Sequence, residues 1–162
     1  MDNSVTNVVV AGLGGQGVLK ASDILAEAAF AAGRDVKKAE VHGMSQRGGS
    51  VRSDVRFGQN EKVFSPMVPA GEADYLVVLS VDQVDVNRAV LAEGGTLLAA
   101  DLIDIDALAN KRSLNVAMLG ALSAHLDIES QHWHDAIRAV LPEKVHEANL
   151  AAFDLGRRTQ DG

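Results

Sequence analysis

At 162 residues the chain has the length of one ordinary domain, 1–162, and its 47% apolar content with one Trp, one Tyr and four Phe leaves Ala, Val and Leu to fill the core. A net charge of −7 argues against a broad nucleic-acid or anionic-membrane surface, and the absence of cysteine excludes disulfides, thiolate catalysis and thiolate-held iron–sulfur clusters on this chain. The polar start Met1-Asp2-Asn3-Ser4 and the lack of a membrane-length apolar run fit a cytoplasmic protein.

Asn7 to Ala11 reads as a buried strand, because Val8, Val9 and Val10 form a continuous β-branched run. Between Val18 and Ala32, apolar Val18, Ala21, Leu25, Ala28, Ala29 and Ala32 keep helical spacing, and Gly33 supplies the stop. Val36 to Val41 is a second strand, followed by a loop from His42 to Gly49. Val51, Ser53, Val55 and Phe57 then alternate with Arg52, Asp54 and Arg56, the period of a half-buried strand, and Gly58-Gln59-Asn60 is placed to turn it into a hairpin with Lys62 to Ser65.

Tyr75 to Leu79 is a further buried strand, after which Ser80 and Gln83 have the spacing of a capping box opening a helix. Gly94-Gly95 closes that helix, and Thr96 to Ala100 is strand again. Asn115 to Leu126 is a helix whose Gly120 permits close packing, and two more helices follow, carrying Trp133, Ile137, Val140 and Leu141, then Val145, Ala148, Ala152 and Leu155, separated at Pro142. The alternation predicts an α/β fold: a Rossmann-like open, mostly parallel sheet with helices on both faces and a β-hairpin insertion.

Gly12-Leu13-Gly14-Gly15-Gln16-Gly17 satisfies G-x-G-x-x-G between a strand and a helix, where glycines allow a tight turn and a helix N-terminus faces an anion. Glu40, 23 residues beyond Gly17, is available as a ribose ligand, so a dinucleotide site and a purely close-packed helix both remain open from this turn alone. A P-loop is excluded, since Val18-Leu19 stand where a lysine and a hydroxyl residue are needed.

The second motif, "EVHGMSQRGGSVRSDVRF" at 40 to 57, places Gly43 and Gly48-Gly49 around Met44, Ser45, Gln46 and Arg47. With GxGGQG thirty residues earlier, this pair resembles the gamma subunit or domain of the 2-oxoacid:ferredoxin oxidoreductases, and within them the small-subunit branch of the indolepyruvate ferredoxin oxidoreductases. Ser65-Pro66, Ala73-Asp74, Gly94-Gly95 and Leu119-Gly120-Ala121-Leu122 continue the similarity in order, from residue 7 to about 125. The chain departs from the pattern at Ser80-Val81-Asp82-Gln83, where the family carries Glu, and in a short stretch between Ala100 and Asn115.

The resemblance implies a complex that decarboxylates a 2-oxoacid such as an arylpyruvate on thiamine diphosphate, passes electrons through iron–sulfur clusters to ferredoxin and releases an acyl-CoA. Thiamine diphosphate, its Mg2+ and the clusters are then expected on a large partner subunit, with CoA as co-substrate and the isolated small chain inactive. The residues agree: there is no cysteine, and no G-D-G motif with a downstream Asn to hold a thiamine diphosphate metal. Candidate ligand-binding residues are Gly12, Gly14, Gly15, Gln16, Gly17, Arg47, Gly48 and Gly49; no catalytic or metal-binding residue is assigned.

Arg47, between glycines, suits an anion or a partner surface, with His42 and Gln46 beside it, whereas Arg52 and Arg56 are expected to form a solvated or intrachain salt-bridged face because Asp54 lies between them. His132 and His134, two apart, do not share a helix face, so no zinc pair is expected. Met44, Phe64, Pro66 and Met67 are either an apolar contact for a large subunit or core. Two competing readings are a self-contained nicotinamide- or flavin-dependent oxidoreductase using Gly12 to Gly17 and Glu40, and a nucleotide-sensing module without chemistry.

Overall fold

The valine run at 8 to 10 forms the centre of strand β1 (Val5–Leu13), and all three side chains are completely buried because each face of the strand meets a different core. The computed structural model describes residues 5–42 and 49–161, with the backbone alone at residue 42. Helix α1 (Val18–Ala31) follows and buries the predicted stripe Val18, Ala21, Leu25, Ala28 and Ala29, with Ile24 added. Gly33, at φ 85°, ends it by donating to the Phe30 carbonyl at 2.9 Å, a conformation glycine adopts without the Cβ penalty.

Strands β2 (Asp35–His42) and β3 (Ser50–Gly58) pair antiparallel, and β3 also lies antiparallel beside β1. On the other side of β1 come β4 (Ala73–Val78) and β5 (Leu91–Ala99), both parallel to it, giving the order β2-β3-β1-β4-β5. Four strands therefore run one way and β3 alone is reversed.

The inserted hairpin is thus β2–β3, and Lys62 to Ser65 forms no strand, contrary to the sequence expectation. Side chains, rather than a sheet ladder, take up that segment's backbone groups. The Asp35 carboxylate accepts from the Val63 amide at 2.7 Å, the Arg56 guanidinium donates to the Ser65 carbonyl at 2.8 Å, and the Asp54 carboxylate accepts from the Val68 amide at 2.8 Å.

The helix predicted from Ser80 to Gly94 is also corrected. It breaks into a 3₁₀ turn (Val81–Gln83), the single turn α2 (Val84–Asn87) and another 3₁₀ turn (Arg88–Val90), after which β5 already begins at Leu91 and runs through Gly94-Gly95. The capping box is absent because each member has another partner: the Ser80 hydroxyl donates to Asp82 at 2.6 Å and Gln83 accepts from the Ser50 hydroxyl at 2.6 Å. Gly94, at φ 81°, lets β5 shift register against β4 between Ala73 and Tyr75.

Helices α3 (Leu114–Ser123), α4 (Ser130–Val140) and α5 (His146–Arg158) complete the chain, α3 stopping three residues short of the expected Leu126. With α1 they cover one face of the sheet, over Val8, Val10, Val55, Phe57, Val77 and Leu98, around a core centred on Trp133 and Phe153. The opposite face, Val9, Ala11, Leu76 and Val78, is covered by Val68 and by the short helical turns carrying Val84 and Val90. Gly120 and Gly156 bring α3 and α5 into backbone contact: a Cβ on Gly120 would overlap the Phe153 carbonyl, and one on Gly156 the Ala117 carbonyl. Among the described residues no helix is long and apolar enough to cross a membrane.

Candidate functional site

Chain reversal at the end of β1 builds the glycine turn. The Gln16 amide donates back to the Leu13 carbonyl at 3.2 Å, and the Gln16 side-chain oxygen accepts from the Leu13 amide at 2.7 Å, so Gln16 locks the turn internally. Gly12 is needed for that lock, because a Cβ there would lie 2.8 Å from the same Gln16 oxygen and 3.2 Å from Leu79 of the neighbouring chain segment. Gly15 and Gly17 have φ of 87° and 82°, and Gly14 and Gly15 face open space.

Gly17 precedes α1 without offering a side-chain cap. The first intrahelical donor is the Ala21 amide on the Gly17 carbonyl at 3.0 Å, so the amides of the first turn have no acceptor within the helix and point at whatever lies above it. The Gly17 carbonyl also accepts from the Asn115 side-chain nitrogen Nδ2 at 3.1 Å, which ties the turn to the start of α3.

Two basic residues that the sequence reading did not select stand beside this helix end. A cavity of about 420 Å³ is lined by Gly15, Gln16 and Gly17 on one side and by Lys111, Arg112 and Leu114 on the other. A second, of about 350 Å³, runs from Gly14 over Leu19 and Lys20 to Val51. Lys111 makes only an exposed ion pair with Asp106 at 3.5 Å, so its charge is largely offered to the cavity. Exposed backbone donors, a helix N-terminus and the cations Lys20, Lys111 and Arg112 together make a concave surface suited to phosphate. Nothing in the sequence spacing connects residue 15 with residue 112; only the packing of α3 against the turn does.

The second motif meets the first through Gly49, whose carbonyl accepts from the Gly14 amide at 3.1 Å. Met44, Gln46, Arg47 and Gly48 lie outside the described residues, as does the side chain of His42. Arg52 is salt-bridged within the chain as expected, chelating the fully buried Asp54 at 2.7 and 2.9 Å, a bond that raises the Arg52 pKa against the effect of burial, whereas Arg56 donates to neutral oxygens, of the Asn7 side chain at 2.8 Å and of the Ser65 carbonyl. Phe64 and Met67 are exposed, at 87% and 46%, and therefore do not belong to the core.

Glu40 does not serve the glycine turn. In a dinucleotide fold the second strand neighbours the first, but here β3 occupies that place and Glu40 pairs with Ser53, about 10 Å from β1 at two strand spacings. Its carboxylate is held by Lys38 at 3.2 Å, which also binds Asp23 of α1 at 2.7 Å. Among the described residues no group of His, Asp and Glu is arranged to hold a metal ion.

The family model for pyruvate ferredoxin/flavodoxin oxidoreductase matches residues 7–159. The chain is 34% identical to the indolepyruvate oxidoreductase subunit IorB of Pyrococcus horikoshii, covering 93% of each chain, and 28% identical to the 2-oxoglutarate synthase subunit KorC of Archaeoglobus fulgidus, covering 93% of this chain and 85% of that one. It is also 32% identical to a ketoisovalerate oxidoreductase subunit VorA of Methanothermobacter marburgensis, spanning only 35% of that longer chain. Its fold matches a keto/oxoacid ferredoxin oxidoreductase gamma subunit from Geobacter sulfurreducens with a TM-score of 0.72 at 23% identity, over 96% of this chain and 98% of that one. It likewise matches a 2-oxoglutarate:ferredoxin oxidoreductase from Magnetococcus marinus, solved with 2-oxoglutarate, coenzyme A and succinyl-CoA bound, with a TM-score of 0.81 at 22% identity, over 98% of this chain and 31% of that one.

Proposed function

Because the chain belongs to the pyruvate ferredoxin/flavodoxin oxidoreductase family, we propose that it is the small subunit of a 2-oxoacid:ferredoxin oxidoreductase of the indolepyruvate type. The observation that carries this reading is 34% identity with an indolepyruvate oxidoreductase subunit in a match that covers 93% of both chains. The reading makes the chain a cytoplasmic protein with one domain over 1–162.

The residues present do not suit the resident cofactors of such an enzyme. There is no cysteine for a cluster, and the described acidic and histidine side chains form no metal cage for thiamine diphosphate and Mg2+. Those groups belong to a large partner subunit, which carries out the decarboxylation and passes electrons to ferredoxin.

This chain's share is the acyl acceptor. CoA carries phosphates at one end and its thiol at the other, and the phosphates are the part the glycine turn can hold. The first-turn amides of α1 and the backbone N–H groups of Gly15 and Gly17 donate to the anion, Gly14 and Gln16 shape the turn that presents them, and Lys111 and Arg112 close over it from the α3 side. Gly12 sets the turn and Gly49 holds it against the hairpin; Arg47 and Gly48, next to Gly49 in the sequence, are further candidate contacts. Anchored there, the flexible arm of CoA is free to carry its thiol into the partner's site, where the acyl group leaves with it as a thioester.

The test is purification of the tagged chain from its host, with cofactor analysis of what accompanies it and an assay of CoA-dependent dye reduction by arylpyruvates. A partner bearing thiamine diphosphate and iron, with activity that disappears when this chain is omitted, is the expected outcome. A solitary chain that binds NAD or a flavin would overturn the proposal.

A further inference from the structure

The two cavities that flank the glycine turn share Gly15 and Gly17, and neither is lined by a carboxylate: Lys20 is the charged side chain on one, Lys111 and Arg112 are those on the other. In a chain of 22 acidic and 15 basic residues this is a local reversal of sign. Cavities elsewhere on the surface are balanced, by Glu61 and Glu72 beside Arg56 and Lys62 at the opposite end of β1, and by Asp85 and Asp101 beside Arg88 next to β5.

The two flanks of the turn are chemically unlike. The cavity of about 350 Å³ is walled by Leu13, Leu19 and Val51, with Lys20 as its cation. The cavity of about 420 Å³ brings two cations together from adjacent positions of the 3₁₀ turn Lys111–Ser113. Hydrogen bonds on either side fix that turn: the Asn110 side chain accepts from the Arg112 amide at 2.9 Å, and Asn115 Nδ2 donates to the Gly17 carbonyl at 3.1 Å. Asp106 meets Lys111 at 3.5 Å with both side chains exposed, so it neutralises little of the charge. Among the described residues the Arg112 guanidinium has no hydrogen-bond or ion-pair partner. An arginine and a lysine side by side match a dianion, which the first grips through paired N–H donors and the second as a point charge.

A phosphate monoester is such an anion, carrying about −1.5 to −2 near neutral pH. CoA has one, the 3′-phosphate of its ribose, besides the 5′-pyrophosphate that suits the turn. Both groups hang from the same sugar, so a pyrophosphate anchored on the turn leaves the monoester within reach of one flank. Resting on the CoA reading above, we infer that Lys111 and Arg112 bind the ribose 3′-phosphate, so that this chain tells CoA from dephospho-CoA, and that the pantetheine arm leaves over the apolar flank of Leu13, Leu19 and Val51.

The experiment measures KM for CoA and for dephospho-CoA in the purified complex carrying each variant of this chain; the two ligands share the pyrophosphate and differ only in the 3′-phosphate. The wild-type complex should have a KM for dephospho-CoA about tenfold or more above that for CoA, with kcat alike. Lys111→Ala with Arg112→Ala should erase the difference by raising the KM for CoA, whereas Lys111→Arg, which keeps the charge, should retain it. Gly14→Ala acts on the shared pyrophosphate and should raise both constants in proportion, and Lys20→Ala should leave their ratio as in wild type. Equal constants in the wild-type complex, a ratio that survives the double alanine variant, or a ratio abolished by Lys20→Ala overturns the inference while leaving CoA on the turn. Constants for both ligands that neither Gly14→Ala nor the double variant moves overturn the inference and the CoA reading together.

Discussion

Two glycines three residues apart in the turn should respond oppositely to the same substitution. Gly17 has φ 82°, and an alanine Cβ there would lie 2.5 Å from the Asn115 side-chain nitrogen that donates to the Gly17 carbonyl. The left-handed backbone costs an L-residue about 1–2 kcal/mol, and displacing Asn115 forfeits a hydrogen bond worth about 1 kcal/mol. Gly17→Ala should therefore lose about 2–3 kcal/mol, a fall of about 4–12 °C in the melting midpoint for a chain of this size. Gly14 has neither a positive φ nor any atom within 4 Å of a built Cβ, so Gly14→Ala should melt within about 2 °C of wild type. That methyl group nevertheless stands on the open side of the turn, where a phosphate approaches the backbone. In the reconstituted complex it should raise the KM for CoA about tenfold with kcat little changed. Thermal unfolding of the isolated variants and CoA titration of the complex measure the two effects separately. Equal destabilisation by both variants would refute the strain argument, and an unchanged KM for CoA in Gly14→Ala would refute phosphate binding at the turn.

Lys111→Ala with Arg112→Ala should likewise raise the KM for CoA by about tenfold without lowering the melting midpoint, and the wild-type KM should climb with salt more steeply than the variant's, because the lost contact is between exposed charges. Gly120→Ala should cost about 3 kcal/mol in denaturant unfolding, since its Cβ meets the Phe153 backbone and α3 must move off α5. Asp54→Ala removes the buried acceptor of Arg52 and of the Val68 amide; a loss of about 3–5 kcal/mol is expected, with early proteolytic cleavage in the 59–72 segment that these bonds hold. Burial lowers the Lys38 pKa, but the bonds and charges of Asp23 and Glu40 together outweigh it and leave the pKa raised. A group raised on folding stabilises fully below its unfolded pKa and ceases to do so as pH rises through the folded one. Lys38→Met should thus cost no more than about 1 kcal/mol at neutral pH, and the difference should vanish in strongly alkaline solution, as followed by urea unfolding across pH.

The turn, the helix that follows it and the strand before it were legible because local chemistry dictates them. A β-branched run must be buried, a 3.6-residue apolar stripe must face a core, and Gly12 and Gly17 each meet a side chain that would collide with a Cβ. The same holds for the alternation in β3, which turns Arg52, Asp54 and Arg56 to one face, and for Gly120 against α5. The sequence was also sufficient to assign the family, since the two glycine motifs survive in order.

Elsewhere long-range partners overrode local preference. Ser80 and Gln83 have capping-box spacing, yet Gln83 is claimed by Ser50, thirty-three residues away, and the helix they would open breaks into single turns. Lys62 to Ser65 is flanked like a hairpin strand, but the carboxylates of Asp35 and Asp54 and the guanidinium of Arg56 hold the segment that contains it across the sheet face instead. Glu40 has the spacing of a ribose ligand until β3 is seen to lie between it and β1. Lys111 and Arg112 acquire their place beside the glycine turn only because Asn115 at the head of α3 bonds the Gly17 carbonyl. Periodicity and glycine placement are properties of neighbouring residues and are written in the sequence; strand order and the convergence of residues a hundred positions apart arise from packing, and only the folded chain decides them.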